Sequence, residues 1–265
     1  MLSTRLGVLG WPVGHSRSPA MHNAALAAVG LSDWRYQLLP VPPELFAETV
    51  RALPAARFRG VNVTIPHKQA ALALADEASE RARAIGAANT LIFESGRIFA
   101  DNTDAPALIA GLPFAAADAS ALVLGAGGSA RAAVWALCDA GAAEVRVWNR
   151  TPERAERLCA ELGGTPVRTA APADLLVHCT SSGLDASGQM FKSLPVDVDD
   201  LVGYRCVVDL VYSRTDTPLV EAALARSISV LDGLEILVGQ GALSFELFTA
   251  RPAPVEVMRV AARAR

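Results

Sequence analysis

Apolar positions in this chain follow two rhythms in turn. Short apolar runs of strand length recur, and between them lie longer stretches whose apolar residues fall at helical spacing. The pattern predicts strands over 6–9, 36–41 and 59–64, and helices over 19–29, 43–53, 68–75 and 77–85. Runs 90–93 and 97–100, split by Ser95-Gly96, read as a hairpin, with a helix over 103–111 after it. The small-residue stretch 115–120 reads as a linker and domain boundary. Further strands are expected at 122–124, 145–148, 175–179, 207–211 and 228–231, and helices at 242–249 and 255–263. Such alternation argues for an α/β protein with mainly parallel sheets.

One segment adds chemistry to the pattern. The strand Leu122-Val123-Leu124 runs into Gly125-Ala126-Gly127-Gly128-Ser129-Ala130, a G-x-G-x-x-A turn. A helix pattern through Ala132, Ala133, Trp135, Ala136 and Leu137 follows, stopped by Gly141, and Val145 to Trp148 alternate as a second strand. Glycines at a strand-to-helix turn let the backbone approach a pyrophosphate, which the helix N-terminus attracts. An NAD site places an acid about 20 residues past the glycines, on the ribose hydroxyl. Here that position falls at Asn149-Arg150-Thr151-Pro152-Glu153-Arg154. Asn149 replaces the acid, Thr151-Pro152 reads as a helix start, and Arg150 and Arg154 offer forks to a phosphate dianion. NADP is therefore the expected cofactor.

Length and composition narrow the class. The chain has 265 residues, enough for two modest domains. With 24 basic residues against 27 acidic ones, no nucleic-acid or membrane-surface partner is expected. Residues are 52% hydrophobic, yet no run approaches a membrane span, and the first eleven positions lack a signal-peptide pattern. Cys138, Cys159, Cys179 and Cys206 have no metal-ligand spacing and read as buried thiols of a cytoplasmic protein. His22, His67 and His178 are too dispersed to suggest a metal.

Three stretches carry polar residues where burial is expected. In His15-Ser16-Arg17-Ser18-Pro19, Ser18 reads as an N-cap and, with Ser16, as a seat for a carboxylate. Asn62 and Thr64 share one face of a strand that leads to Lys68, a lysine able to exchange protons if partly buried. Asp101-Asn102-Thr103-Asp104 follows the hairpin; Asp104 could partner that lysine or cap the next helix. Asn89, Tyr212 and Gln240 are isolated polar residues on apolar-rich segments.

Taken in order, these motifs resemble the shikimate dehydrogenase family over nearly the whole chain. The matches are G-x-P-x-x-H-S-x-S-P from Gly10, G-x-N-V-T-x-P-x-K from Gly60, N-T-D at Asn102 to Asp104, and G-A-G-G from Gly125. They continue with N-R-T-x-x-R from Asn149, D-x-V-Y from Asp209 and Q-G-A from Gln240. The resemblance implies a substrate domain over 1–110 completed by 236–265, a Rossmann-type NADP domain over 111–235, and catalysis in the cleft. It implies Lys68 and Asp104 as the catalytic pair, and Ser16, Ser18, Thr64, Asn89, Tyr212 and Gln240 around the substrate. Gly125 to Ala130, Asn149, Arg150, Thr151, Arg154 and Gly233 would hold NADP, with no metal. The implied reaction is reduction of 3-dehydroshikimate to shikimate by a cytoplasmic monomer or homodimer. Quinate, aminoshikimate or a non-catalytic NADP sensor are the alternatives. The chain departs from the family pattern at Asp101, Ala105, His178, Arg214, Ile236 and Phe248.

Overall fold

The computed structural model describes residues 3–180, 190–213 and 215–264, so Arg214 lies outside the described residues. The chain divides into two compact units, Met1–Asp104 with Leu237–Arg265, and Ala105–Ile236. The stretch 115–119 lies inside the second of these.

The first unit opens with β1 (Thr4–Gly10), α1 (Ser18–Ala28) and β2 (Trp34–Pro40). A 3-10 turn at Pro43–Leu45 then leads into α2 (Phe46–Ala52), where the sequence predicts one continuous helix. Next come β3 (Phe58–Val63), α3 (Lys68–Leu74), β4 (Glu77–Ala78), α4 (Glu80–Ile85), β5 (Thr90–Glu94) and β6 (Arg97–Asp101). The strands form one sheet ordered β2-β1-β3-β5-β6-β4, parallel around β1 and antiparallel from β3 through β6. The β5–β6 turn is Ser95-Gly96, both at positive φ (52° and 76°), as a two-residue hairpin requires.

The helix expected over 77–85 is in fact a strand and a shorter helix. Asp76 accepts from the Ile98 amide at 2.7 Å and its own amide donates to the Ile98 carbonyl, which draws the segment onto β6. The helix starts only where Ser79 Oγ accepts from the Ala82 amide at 3.1 Å. Leu9, Val61, Val63, Leu91 and Phe93 of the strands pack with Phe46 and Val50 of α2 and Ala71 of α3 as the core on one side.

Across the unit boundary α5 (Asp104–Gly111) leads into the second unit. It continues with β7 (Ser120–Leu124), α6 (Gly128–Asp139), β8 (Glu144–Trp148), α7 (Pro152–Leu162), β9 (Thr165–Pro166) and β10 (Ala173–His178). β11 (Tyr204–Asp209), α8 (Pro218–Leu224) and β12 (Ser229–Leu231) complete its elements. The sheet order is β12-β11-β10-β7-β8-β9, with each neighbouring pair parallel. Val123, Val147, Val177 and Val208 point into one core and Leu122, Leu124, Leu176 and Val207 into the other. Burial on both faces explains why these strands read as continuous apolar runs rather than alternating ones. The strand order reverses between β7 and β10, the place where open α/β sheets bind ligands beyond their strand ends. The chain ends with α9 (Gly233–Thr249) and α10 (Val255–Arg263). Among the described residues no helix is long and apolar enough to cross a membrane.

Candidate active site

In the first unit, the N-terminus of α3 meets the turn after β6. Lys68 is the first residue of α3, and its Nζ donates to Asp104 Oδ2 at 2.6 Å. Both side chains keep about a tenth of their surface accessible (12% and 11%), so the pair is shielded yet reachable. Asp104 Oδ1 accepts from Asn89 Nδ2 at 2.8 Å, and Asn89 is itself buried. The same amide lies 2.9 Å from Thr103 Oγ1 and 3.3 Å from Gln240 Oε1, while Asn89 Oδ1 accepts from the Thr103 amide at 2.8 Å. Asn89 therefore ties β5, the N-T-D turn and α9 to one carboxylate. Because Lys68 and Asn89 each hold one oxygen of Asp104, its carboxylate is already aimed before any ligand arrives.

Asp104 does not cap α5; it is the first residue of the helix. Its amide donates to Asn102 Oδ1 at 3.1 Å, so Asn102 provides the turn, and Asn102 is anchored to the Ala87 carbonyl at 2.9 Å. Asn102 is a residue that spacing did not single out, although Asn two places before a helix is a turn signal. Immediately before it, Asp101 accepts from Arg81 Nε at 2.8 Å and Nη2 at 2.5 Å and from Ser79 Oγ at 2.6 Å. The departure at Asp101 is thus built into an ion pair. Phe248 packs its ring where any side chain on Gly60 would stand, 2.5 Å from a Cβ there, and Ala105 and Ile236 are buried.

Asn62 is buried under this cluster, accepting from Tyr36 Oη at 2.8 Å and donating to Thr90 Oγ1 at 3.2 Å. Thr64, just past the end of β3, is half-buried, and its methyl packs against Gly10. At the start of α1 the expected Ser18 cap does not form, and Arg17 holds the N-cap position. Ser18 already has helical hydrogen bonding, no side-chain cap operates, and Ser16 Oγ accepts from the Ser18 amide at 3.2 Å. With Pro19 taking the position that lacks an amide, Ser16 is placed to satisfy the next donor back, which is why Ser18 need not cap. Ser18 is buried and Ser16 half-buried.

The second unit contains the remaining residues. Gly125 follows β7 at φ +118°, and a Cβ there would stand 3.0 Å from the Cys179 carbonyl, so glycine is required. Gly127 is the extended residue before α6, with nothing within 4 Å of where its Cβ would project. Gly128 and Ser129 open α6 beside half-buried Ala126, and buried Ala130 packs its first turn inward. A bare backbone with open space ahead of a helix start is the cradle that a pyrophosphate needs. At the start of α7, Thr151 is extended without a side-chain capping bond, and Asn149 Nδ2 donates to the Thr151 carbonyl at 2.8 Å. Arg150 and Arg154 are exposed, and neither guanidinium has a partner among the described residues. Two uncommitted forks at a helix start fit a phosphate dianion, so this donor set fits NADP.

Tyr212 is half-buried, three positions past the end of β11, and belongs to the second unit. Gly233 has a structural reason of its own: a Cβ there would meet the Val211 carbonyl oxygen at 2.5 Å. The four cysteines are free; Cys159 and Cys206 are buried but Cys138 and Cys179 are half-buried. Burial pushes the Cys159 and Cys206 thiols up to about 11. Among the described residues no group of His, Cys, Asp or Glu could hold a metal.

Comparison with known proteins matches three family models: a shikimate dehydrogenase substrate binding domain over 8–91, a shikimate / quinate 5-dehydrogenase over 109–183, and a shikimate 5'-dehydrogenase C-terminal domain over 233–263. A shikimate dehydrogenase (NADP(+)) of Paracoccus denitrificans is 44% identical over 93% of this chain and 91% of its own length. Its counterpart in Methylobacterium radiotolerans is 45% identical over 94% and 92%. The crystal structure of a shikimate 5-dehydrogenase from Thermus thermophilus with NADP(H) and shikimate superposes with a TM-score of 0.86 at 41% identity, over 99% of both chains. Fold, motif order and identity agree: the chain belongs to the shikimate dehydrogenase family.

Proposed function

We propose that the protein reduces 3-dehydroshikimate to shikimate with NADPH, reversibly, as a step in making aromatic amino acids. The observation that carries this reading is the shielded Lys68–Asp104 pair at 2.6 Å, its carboxylate held by Asn89. NADPH, when bound, supplies a hydride to the ring carbonyl carbon. Negative charge then grows on the carbonyl oxygen, and Lys68 as an ammonium gives it a proton. In the oxidising direction the neutral amine takes the proton back. Asp104 orients the amine and uses its remaining acceptor capacity for the neighbouring substrate hydroxyl. Asn89, Gln240 and Thr64 present amides and a hydroxyl to the ring hydroxyls, and Tyr212 completes the set. Ser16 and Ser18, at the start of α1, seat the carboxylate. Positioning by several weak donors fixes the ring so that one carbonyl faces Lys68.

On the cofactor side, the backbone from Gly125 to Ala130 takes the pyrophosphate and Arg150, Thr151 and Arg154 the ribose phosphate, with Asn149 and Gly233 beside them. The Lys68–Asp104 pair argues against a sensor that merely binds NADP, because binding alone needs no proton donor. Four free cysteines and a near-neutral surface suit a reducing cytoplasm and no polyanionic partner. A steady-state assay of shikimate and quinate against NADP and NAD tests the reading. Turnover with shikimate and NADP should exceed every other combination; a preference for quinate would reassign the substrate, and no turnover with either would remove the activity.

A further inference from the structure

The sheet of the first unit carries a buried file of polar side chains to which the proposed reaction gives no part. Asn62 of β3 and Thr90 of β5 lie opposite each other in register, and Tyr36 stands on the edge strand β2. All three are buried. The Tyr36 ring is clamped by His22, stacked 4.2 Å away and within 3° of parallel. Tyr36 Oη lies 2.8 Å from Asn62 Oδ1, Asn62 Nδ2 3.2 Å from Thr90 Oγ1, and Thr90 Oγ1 3.1 Å from Asn89 Oδ1. The file therefore runs from the edge of the sheet to the amide that holds Asp104.

Groups that can only donate or only accept fix the sense of every link. The Thr103 amide, a donor, faces Asn89 Oδ1 at 2.8 Å, so Asn89 Nδ2 faces the carboxylate of Asp104. The Asn89 carbonyl, an acceptor, faces Asn62 Nδ2 at 3.3 Å, so Asn62 Oδ1 faces the Tyr36 and Ser244 hydroxyls and receives from them. Ser244 divides its one proton between Asn62 Oδ1 at 3.3 Å and the Gly241 carbonyl at 3.0 Å, which leaves Tyr36 as the closer donor. Thr90 accepts from Asn62 and keeps its own proton for Asn89 Oδ1; the Thr103 hydroxyl stands farther off, at 3.5 Å. Donation thus runs one way, from Tyr36 through Asn62, Thr90 and Asn89 to Asp104.

Hydrogen bonds of one sense polarise each other, and in a dry interior each link holds the next in place. We infer that Tyr36, Asn62 and Thr90 are positioning residues for the reaction: they hold the Asn89 amide in the orientation that donates to Asp104, and through it keep Asp104 on Lys68. No proton travels along the file; its effect is orientation. Asn62 also donates to the Asn89 carbonyl, which the Val63 amide meets at 2.7 Å, so backbone and side chain of Asn89 are set together. The inference rests on the reading that Lys68 and Asp104 carry the proton transfer.

Substitutions at Thr90 separate orientation from packing. Thr90→Val keeps the shape of the side chain and loses the hydroxyl, whereas Thr90→Ser keeps the hydroxyl and loses a methyl. Turnover of shikimate with NADP should fall roughly 3- to 10-fold in Thr90→Val, the scale of one hydrogen bond, and stay near wild type in Thr90→Ser. On an Asn89→Ala background, Thr90→Val should cost nothing further, since the residue it acts through is gone. Wild-type turnover in a folded Thr90→Val protein, equal losses in both Thr90 variants, or an undiminished loss on the Asn89→Ala background would each overturn the inference. Tyr36→Phe covers the case of a Thr90→Val protein that fails to fold. It should lower turnover in the same direction but less, being farther from Asp104, and wild-type turnover there would also overturn the inference. If wild type itself turns over neither shikimate nor quinate, the activity is wrongly assigned and the positioning role falls with it; an active wild type beside an unaffected Thr90→Val removes the positioning role alone.

Discussion

At the scale of single residues, chemistry was most legible where a polar side chain interrupts an apolar run. Lys68, Asn62 and Asn89 stood out this way, and all are tied into one hydrogen-bonded cluster. What spacing could not show is division of labour between neighbours. Ser18 has the form of a cap, but Ser16 makes the bond to the backbone, because Ser18 lies one step too far into the helix. The stability cost therefore moves. Ser16→Ala should raise the Michaelis constant for shikimate and also remove a bond worth ~0.5–1.5 kcal/mol, seen as a lower Tm. Ser18→Ala should leave the helix start intact and change only substrate binding. A Ser16→Ala protein with unaltered shikimate kinetics would place the carboxylate elsewhere.

Element by element, strands β7, β8, β10, β11 and β12 and helix α6 of the second unit followed their apolar runs, since burial on both faces leaves little ambiguity, whereas α8 was not anticipated. The short strands β4 and β9 were invisible, because two residues show no periodicity and their pairing is dictated by β6 and β8. The buried His178–Asp209 pair was equally hidden, as its members are 31 positions apart and meet only through strand register. The start of α7, by contrast, was readable from Thr151-Pro152 and its flanking arginines. Each charged hydrogen bond to a phosphate contributes ~1.5–3 kcal/mol, so Arg150→Ala should weaken NADP binding roughly 10- to 100-fold and leave NAD nearly untouched. Direct binding titrations with both cofactors check this; equal losses would assign the arginine to the fold instead.

For the molecule as a whole, acid sensitivity should trace in part to one side chain. His22 on α1 is fully buried, its ring stacked on Tyr36 at 4.2 Å with neither nitrogen hydrogen-bonded among the described residues. Burial pushes it down to about 3, whereas an unfolded histidine titrates near ~6.5. Between those values the unfolded chain binds the extra proton, so stability is complete above about 6.5 and declines as pH falls toward about 3. His22→Phe keeps the stacked ring without the basic nitrogens. Urea midpoints should match wild type at neutral pH and exceed it near the acid end; parallel curves for both proteins would show that other groups govern the acid limb.

In the proposed reaction Lys68, held by Asp104, moves the proton that accompanies hydride transfer. Lys68→Ala tests it most directly, measured as turnover together with NADP affinity by titration. Turnover should fall ~10²–10⁴-fold, the range for a positioned acid–base group, while NADP binds as before because Lys68 lies in the first unit and the glycine turn in the second. A Lys68→Ala protein that turns shikimate over at close to the wild-type rate would contradict the account.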